Sequence, residues 1–90
     1  MQYPIAITPG DENTAYCIII PDIVGCYSAS DEPVDILENA KEAIILHLRG
    51  LMEDGEPIPM PTHSARHQDN PDFPGVSWAV ADIPIDALYE

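Results

Sequence analysis

The chain has 90 residues, and its sixteen Asp and Glu outnumber its three Lys and Arg to give a formal net charge of −13. Such a length supports one small domain, and a hydrophobic fraction of 46% is too high for a disordered chain. Because nucleic-acid binding depends on Lys and Arg that neutralise phosphates, the charge argues against DNA or RNA and favours a basic partner. An acidic surface that serves solubility alone is the alternative.

We expect no segment that directs the chain to a membrane or out of the cell. The apolar runs are short and are broken by charge or proline, and the first residues have neither the basic region nor the apolar stretch of a signal peptide. The two cysteines, Cys17 and Cys26, are most simply reduced thiols, although adjacent strands could bring them together. A cytoplasmic location is therefore expected.

Residues 3–20 predict a β-hairpin. Apolar side chains alternate along residues 3–7, and the proline at position 4 indicates a strand with a free side near its start. A turn at residues 9–13 leads to a second strand at residues 14–20, which is apolar on both faces. A sheet covered by one helix needs only one such face. We therefore expect the other face to be buried against another subunit or a partner, or by the chain itself.

The middle of the chain predicts one long helix. Pro33 suits the first helical position, and the acidic residues around it complement the positive end of the helix dipole. We predict a helix over residues 33–53, with Gly55 as its C-terminal cap and Pro57 as a barrier to continuation. Its apolar stripe is predicted to consist of Leu37, Ala40, Ile44, Leu48 and Leu51, and to be widened by Ile36, Ala43 and His47.

Shorter elements flank the helix. After a turn at residues 21–26, residues 26–29 predict a short third strand. Residues 62–70 are polar and indicate at most a brief helical turn, residues 76–81 alternate as a last strand, and residues 82–90 are expected to be an exit from that strand. The order β-β-β-α-β predicts an α+β fold in which a small antiparallel-rich sheet packs on one main helix.

No arrangement of catalytic residues stands out in the sequence. A two-metal nuclease needs several oxygen ligands that converge on one point, but the predicted first strand contains no carboxylate. His63 and His67 have a spacing that zinc can use on a helix, but they lie in a polar loop without the Glu of a His-Glu-x-x-His motif. We interpret both as surface histidines and His47 as a residue at the core margin. Since no nucleophile motif or Gly-rich phosphate loop occurs either, we expect no catalytic, metal or cofactor site.

Several motifs occur together in an order that is typical of one family. They are the Pro21-Asp22-Ile23-Val24-Gly25-Cys26 turn, the Glu38-Asn39-Ala40-Lys41-Glu42-Ala43 helix core and the Asp54-Gly55-Glu56-Pro57-Ile58-Pro59 exit. With Met1-Gln2-Tyr3-Pro4-Ile5 at the start and Val76-Ser77-Trp78-Ala79-Val80 near the end, the motifs are distributed over most of the length of the chain. In this combination the sequence resembles the HicB-type antitoxins of bacterial toxin–antitoxin pairs.

The resemblance implies a partial ribonuclease-H-like fold and a binding function. Antitoxins of this family bind HicA, a small basic toxin that cleaves mRNA, and keep RNA away from its surface. We therefore expect residues 1–90 to form one non-catalytic antitoxin domain whose partners are a HicA-like toxin and further copies of itself, as a dimer or higher oligomer. The alternatives are a non-catalytic oligomeric interaction module of the same fold with another partner, and a degenerate or metal-dependent nuclease.

The resemblance also bears on DNA binding and on the toxin contacts. Family antitoxins usually continue into a ribbon-helix-helix or helix-turn-helix domain, and we expect none of that kind, and no direct nucleic-acid binding, in these 90 residues. The toxin contacts are predicted at the turn and the helix start, namely Asp22, Ile23, Val24, Asp31, Glu32 and Asp35. Clustered carboxylates would steer a cationic partner, and their apolar neighbours would bury area against it.

Overall fold

A computed structural model of the protein describes residues 1–10, 14–67, 73 and 75–89. Its elements are β1 (Gln2–Thr8), β2 (Tyr16–Ile19), β3 (Tyr27–Ser30), α1 (Ile36–Glu53) and β4 (Ser77–Asp82), with 3-10 turns at Pro33–Asp35, Ser64–Arg66 and Ile85–Tyr89. The strands form one antiparallel sheet in the order β3-β2-β1-β4, and α1 packs across it. This confirms the predicted α+β fold, with every strand end within two residues of its prediction. Parts of the segments predicted at residues 9–13 and 62–70 lie outside the described residues.

Strand β1 lies in the interior of the sheet although it contains a proline. The backbone nitrogens of Met1 and Ile83 each donate to the other residue's carbonyl at 2.7 Å. Because hydrogen-bonded pairs alternate along an antiparallel ladder, the odd-numbered residues of β1 are those that bond to β4. The backbone of Pro4 therefore faces the β2 side. There the pairing has already ended, because Ala6 pairs with Ile19, the last residue of β2. The missing N–H of Pro4 interrupts no ladder, and the predicted free side near the start of the strand is confirmed.

Helix α1 buries a stripe of side chains that agrees with the predicted one except at Leu37. The buried positions recur every fourth residue and are Ile36, Ala40, Ile44 and Leu48. They share a core with residues of the sheet and its connections, namely Tyr3, Ile5, Ile18, Ile20, Ile23, Cys26, Ala81 and Ile83. The inclusion of Leu37 in the stripe was wrong, since Leu37 is 44% exposed. A helix turns about 100° per residue, so Leu37 projects away from the line that Ile36 begins.

Both ends of α1 use the residues that the sequence indicated. Pro33 opens the 3-10 turn that leads into the helix. At the other end Gly55 has φ of +73°, and its N–H donates to the Met52 carbonyl at 3.2 Å while the Glu56 N–H donates to the Leu51 carbonyl at 2.8 Å. These two bonds form a Schellman motif, which requires a positive φ that glycine adopts without strain.

The two faces of β4 carry side chains of different size. Ala79 and Ala81 lie on the face that α1 covers, whereas Trp78 and Val80 lie on the opposite face. On that opposite face Ala6 is fully buried, Ile19 is half-buried and Cys17 is exposed. The second face is therefore covered in part by the chain itself. This was one of the alternatives given for the second strand, which is apolar on both faces.

One element of the core was not predicted. Residues 82–90 were interpreted as an exit from the last strand, but Ile85–Tyr89 forms a 3-10 turn that packs on α1. Leu88 in this turn and Ile83 before it are both buried. Because the two are five residues apart, they match neither the period of a strand nor that of a helix, and the periodicity contained no signal for this element.

The two cysteines differ in burial, which predicts different reactivity. Both are free thiols; Cys17 is exposed and Cys26 is buried, and burial raises the pKa of the Cys26 thiol to about 11. At pH 8 we expect a disulfide reagent to modify Cys17 rapidly and Cys26 only as the fold opens, since the thiolate is the reactive form. Mass spectrometry of partly labelled chain measures both rates, and Cys17→Ser removes the fast phase. Equal rates at the two positions would contradict the described burial.

Candidate functional site

The turn between β2 and β3 buries one apolar side chain and presents another to solvent. The Ile23 N–H donates to the Ile20 carbonyl and the Cys26 N–H donates to the Ile23 carbonyl, both at 3.1 Å. Gly25 holds the third position of the second of these turns with φ of +80°, a conformation that favours glycine. As a result Ile23 lies in the core, whereas Val24 at the tip is 91% exposed.

Asp22 connects this turn to the segment that follows α1. Its carboxylate accepts hydrogen bonds from the backbone N–H and the hydroxyl of Thr62, both at 2.7 Å, and lies 3.1 Å from Nε2 of His67. The His67 imidazole stacks on the Trp78 indole with ring centroids 5.8 Å apart, and Phe73 contacts both rings edge-on. Only 6% of the Asp22 side chain is exposed. This cluster holds the segment after the helix against the turn and against the second face of the sheet.

The cluster corrects what was expected of the histidines. His67 is not a surface histidine, because its side chain is 18% exposed and engaged by Asp22 and Trp78. His63 is exposed, and its Nδ1 accepts a hydrogen bond from the Ala65 N–H at 3.1 Å, so the two histidines do not converge as metal ligands. Among the described residues no group of three His, Cys, Asp or Glu side chains is placed to hold a metal ion. His47 lies half-buried at the core margin, as expected.

We predict that Asp22→Ala lowers the free energy of unfolding by about 1–3 kcal/mol, because it leaves the Thr62 N–H without its acceptor. The same change is expected to speed hydrogen exchange at the Thr62 amide more than at amides of α1. Denaturant unfolding and NMR-detected exchange measure the two effects. Asp31→Ala, which removes an exposed carboxylate, serves as the control and should change stability by no more than about 0.5 kcal/mol. Equal effects of the two substitutions would contradict a structural role for the cluster.

Three large apolar side chains are exposed around the turn and the neighbouring helix. Val24 is 91% exposed, Tyr27 in β3 is 67% exposed and Leu46 in α1 is 72% exposed. A shallow groove of about 380 Å³ between Tyr27 and Leu46 is lined by Gly25 and His47 among others, and Val24 lines the adjoining grooves with Tyr27 or with His47. We call Val24, Tyr27 and Leu46 the turn–helix patch. Exposed apolar residues that occur together in this way are typical of a surface that binds another protein.

Carboxylates extend from this patch along the outer side of α1. We define the acidic ridge as five exposed residues, Asp31, Glu32, Asp35, Glu38 and Glu42. Residues four apart are neighbours on a helix, so Glu38, Glu42 and Leu46 follow one another along the same face. No described Lys or Arg lies within ion-pair distance of these carboxylates. The ridge is therefore free to meet a cationic partner.

The structure places the predicted contact residues in two groups rather than one. The turn lies at one end of β3 and the helix start at the other, and the five residue steps from Cys26 to Asp31 span about 16 Å in an extended chain. The helix-start residues Asp31, Glu32 and Asp35 are all exposed, and so is Val24. Two other predicted contacts are placed differently, since Ile23 is buried and the Asp22 carboxylate is engaged internally.

Sequence reasoning missed the residues that bridge these two groups. Tyr27 and Leu46 complete the apolar surface, and Glu38 and Glu42 connect it to the helix start. One signal for Leu46 was present: it lies off the buried stripe, four residues beyond Glu42, and so is an apolar residue on a polar helix face.

Comparison with known proteins connects this site to a family. Residues 3–90 match the model of the HicB-like antitoxins of bacterial toxin–antitoxin systems. An uncharacterized 14.9 kDa protein from the rep–hol intergenic region of Haemophilus phage HP1 is 34% identical over 88 residues, which are 98% of this chain and 65% of the phage protein. The fold is similar to that of the Burkholderia pseudomallei antitoxin HicB, with a TM-score of 0.86, 29% identity, and coverage of 98% of this chain and 67% of that one.

A further solved structure is a toxin–antitoxin complex of HicA3 and HicB3. One of its chains matches with a TM-score of 0.81 and 34% identity, over 93% of this chain and 99% of that one. The chain described here belongs to the HicB-like antitoxins of bacterial toxin–antitoxin systems. It spans about two thirds of the length of the phage relative and of the Burkholderia antitoxin. No helix in the described part of the chain is long and apolar enough to cross a membrane.

Proposed function

We propose that this chain is the neutralising domain of an antitoxin, and that its partner is a small basic, HicA-like toxin that cleaves mRNA. The observation that carries the proposal is the turn–helix patch beside the acidic ridge, on a chain whose net charge is −13. Family membership supports it, and so does the HicA3–HicB3 complex, which contains a chain of the same fold. By covering the toxin's RNA-binding and active surface, the domain would exclude the RNA.

Charge provides the first part of this mechanism. A toxin surface that binds phosphates is cationic, and the free carboxylates of the ridge offer it negative charge in their place. Clustered charge of one sign attracts an oppositely charged partner over the Debye length and raises the rate of association. The ridge therefore contributes mainly to the rate of association with the toxin.

The turn–helix patch provides the second part. Apolar side chains that lose their water on binding contribute most of the affinity at interfaces, and tyrosine is among the residues with the largest effects. Tyr27 and Leu46 flank a groove and Val24 stands at the tip of the turn, so a partner can contact all three from one side. In this proposal Ile23 and Asp22 hold the shape of the turn and do not contact the toxin.

The remaining features of the proposal follow from the same surface. The domain acts by binding, without catalysis and without a cofactor, in the cytoplasm where mRNA is cleaved. Residues 1–90 are proposed to form a single domain, and its acidic surface does not bind nucleic acid directly. We also propose that the domain associates with further copies of itself.

Charge reversal of the helix-start residues tests the electrostatic part of the proposal. We expect the triple change of Asp31, Glu32 and Asp35 to lysine to slow association with the toxin by about tenfold or more at low salt, and the effect to shrink as salt is added. Stopped-flow or surface-based kinetics measures it, once circular dichroism shows that the helix start has survived. Reversal of Glu53, Asp54 and Asp86 raises the net charge equally and serves as the control. Equal slowing by both sets would show that only the overall charge matters.

Co-expression tests the function itself. We expect a small basic protein to be encoded beside the gene for this chain, to co-purify with the chain, and to arrest growth that the chain restores. If the neighbour is not toxic, or if the chain neither binds it nor restores growth, the antitoxin proposal fails. The alternative, an oligomeric interaction module of the same fold with another partner, would then take its place.

A further inference from the structure

Gly50 lies inside helix α1, and no contact within the described part of the domain requires a glycine there. Three of the five glycines of the chain have a positive φ, namely Gly25, Gly55 and Gly75. A Cβ at Gly10 would clash with the carbonyl oxygen of Thr14. At Gly50, apart from its chain neighbours and the local helix backbone, no described residue comes within 4 Å of the position that a Cβ would take. Alanine would therefore fit at this position, and it would stabilise the helix.

The position of Gly50 extends the surface that includes the turn–helix patch. Residues three and four apart are neighbours on a helix, so Gly50 lies next to His47 and Leu46. Those two line the groove of about 380 Å³ beside the β2–β3 turn, and His47 also lines the groove of about 310 Å³ that includes Val24. The backbone of Gly50 therefore borders the exposed apolar surface of the domain without a side chain of its own.

The same line of the helix carries part of the acidic ridge. Four of its positions follow one another at intervals of four residues, namely Glu38, Glu42, Leu46 and Gly50. At about 1.5 Å per residue, Gly50 lies about 18 Å along the helix axis from Glu38 and one turn beyond Leu46. A cationic partner that is attracted to the exposed carboxylates and covers Leu46 therefore also reaches Gly50. The basic toxin fits this description, whereas a second copy of this chain, with its net charge of −13, is repelled.

Both backbone polar groups of Gly50 already have partners. Its carbonyl accepts a hydrogen bond from the Asp54 N–H at 3.1 Å, and its N–H belongs to the hydrogen-bonding pattern of α1. A partner therefore gains no strong hydrogen bond at this point. A glycine offers close approach instead, because without a Cβ the main chain of another molecule can reach van der Waals contact with the helix backbone. Weak Cα–H···O contacts add to such packing.

We infer that the main chain of the toxin packs directly on the backbone of α1 at Gly50, which makes position 50 a determinant of toxin affinity. The inference rests on the proposed function and adds to it a contact that the exposed side chains do not define. A side chain at this position would hold the two main chains apart. Because closely packed contacts tolerate added methyl groups poorly, even alanine is expected to weaken the complex.

Gly50→Ala separates a binding role from a structural one, because the substitution is expected to have opposite effects on stability and on affinity. In the free domain it should raise the melting temperature. It should weaken toxin binding by about tenfold, mainly through faster dissociation, and Gly50→Leu should weaken it by about 100-fold or more. Thermal unfolding and surface-based kinetics with the co-purified toxin measure the two effects, once circular dichroism shows that each variant is folded.

Lys41→Leu is the matched control. Residues nine apart lie on opposite sides of a helix, so this change adds the same leucine side chain to α1 away from the patch. It should leave the dissociation rate of the toxin unchanged. In the complex, NMR should also show intermolecular NOEs from the two Hα protons of Gly50 to main-chain protons of the toxin, and a fully assigned complex without them would contradict the inference.

The possible outcomes distinguish this inference from the proposed function. If Gly50→Ala is folded and binds the toxin with wild-type affinity, while the combined change of Tyr27 and Leu46 to alanine abolishes binding, the inference is overturned and the proposed function stands. A melting temperature of Gly50→Ala below that of the wild type would also overturn it, because the position would then be occupied within the domain. If the wild-type domain does not bind the toxin, both fall. Should Gly50→Leu fail to fold, the alanine variant decides.

Discussion

Replacement of Leu48 by alanine is expected to lower the free energy of unfolding by about 2–5 kcal/mol. Leu48 is fully buried in the stripe through which α1 packs on the sheet, so the change removes transfer free energy and leaves a cavity. Domains of this size have a total stability near the low end of about 5–15 kcal/mol. The variant should therefore lose a large part of its stability and melt at a clearly lower temperature.

Leu37→Ala is the matched control for this prediction. It removes the same atoms from the same helix, but Leu37 is 44% exposed. We expect a loss of no more than about 1 kcal/mol, and alanine's high helix propensity offsets part of it. Denaturant unfolding of both variants gives the comparison. If Leu37→Ala destabilised the domain as much as Leu48→Ala, the helix would be rotated relative to the structure described here.

The combined change of Tyr27 and Leu46 to alanine is expected to weaken toxin binding by about 100-fold or more, mainly through faster dissociation. Both side chains are more than half exposed in the free domain, so their removal should leave the fold and its melting temperature nearly unchanged. The double variant should therefore fail to protect cells from the toxin even though it is folded.

Ile85→Ala provides the comparison for this variant. Ile85 is also a large exposed apolar residue, 57% exposed, but it follows β4 and lies outside the turn–helix patch. Its replacement should leave the dissociation rate unchanged. A double variant at Tyr27 and Leu46 that binds with wild-type affinity would place the toxin elsewhere on the surface.

Local patterns in the sequence predict the elements of this fold because the physical constraint at each is local. A proline fits in a strand where no partner needs its missing N–H, and Pro4 lies beside the end of β2, where there is no such partner. Gly55 supplies the positive φ of the helix cap. Leu37 was wrongly included in the stripe of α1 because several sets of apolar positions fit the helical period. Packing against the sheet selects one of these sets, and the sequence of the helix alone does not show which.

The candidate site was less accessible to such reasoning because it depends on contacts distant in sequence. In the sequence Asp22 looks like an ordinary turn residue. Its role depends on the hydrogen bond that its carboxylate accepts from Thr62, 40 positions later. His67 has no partner in its own segment and is placed by Asp22 and Trp78. Tyr27 and Leu46 come from different elements, so their shared groove exists only in the folded chain. By contrast, the local sequence was enough to place the acids Asp31, Glu32 and Asp35 at the helix start, where they are exposed.

The most direct measurement is a titration of toxin-catalysed RNA cleavage with this domain, with binding followed in the same samples. If the domain masks the toxin's RNA-binding surface, cleavage should fall in proportion to the complex formed and reach background when one domain is bound per toxin. The double variant at Tyr27 and Leu46 should leave cleavage intact at the same concentration. Cleavage that continues at saturating binding would contradict masking, and cleavage that the wild-type domain leaves untouched because no complex forms would contradict the antitoxin function itself.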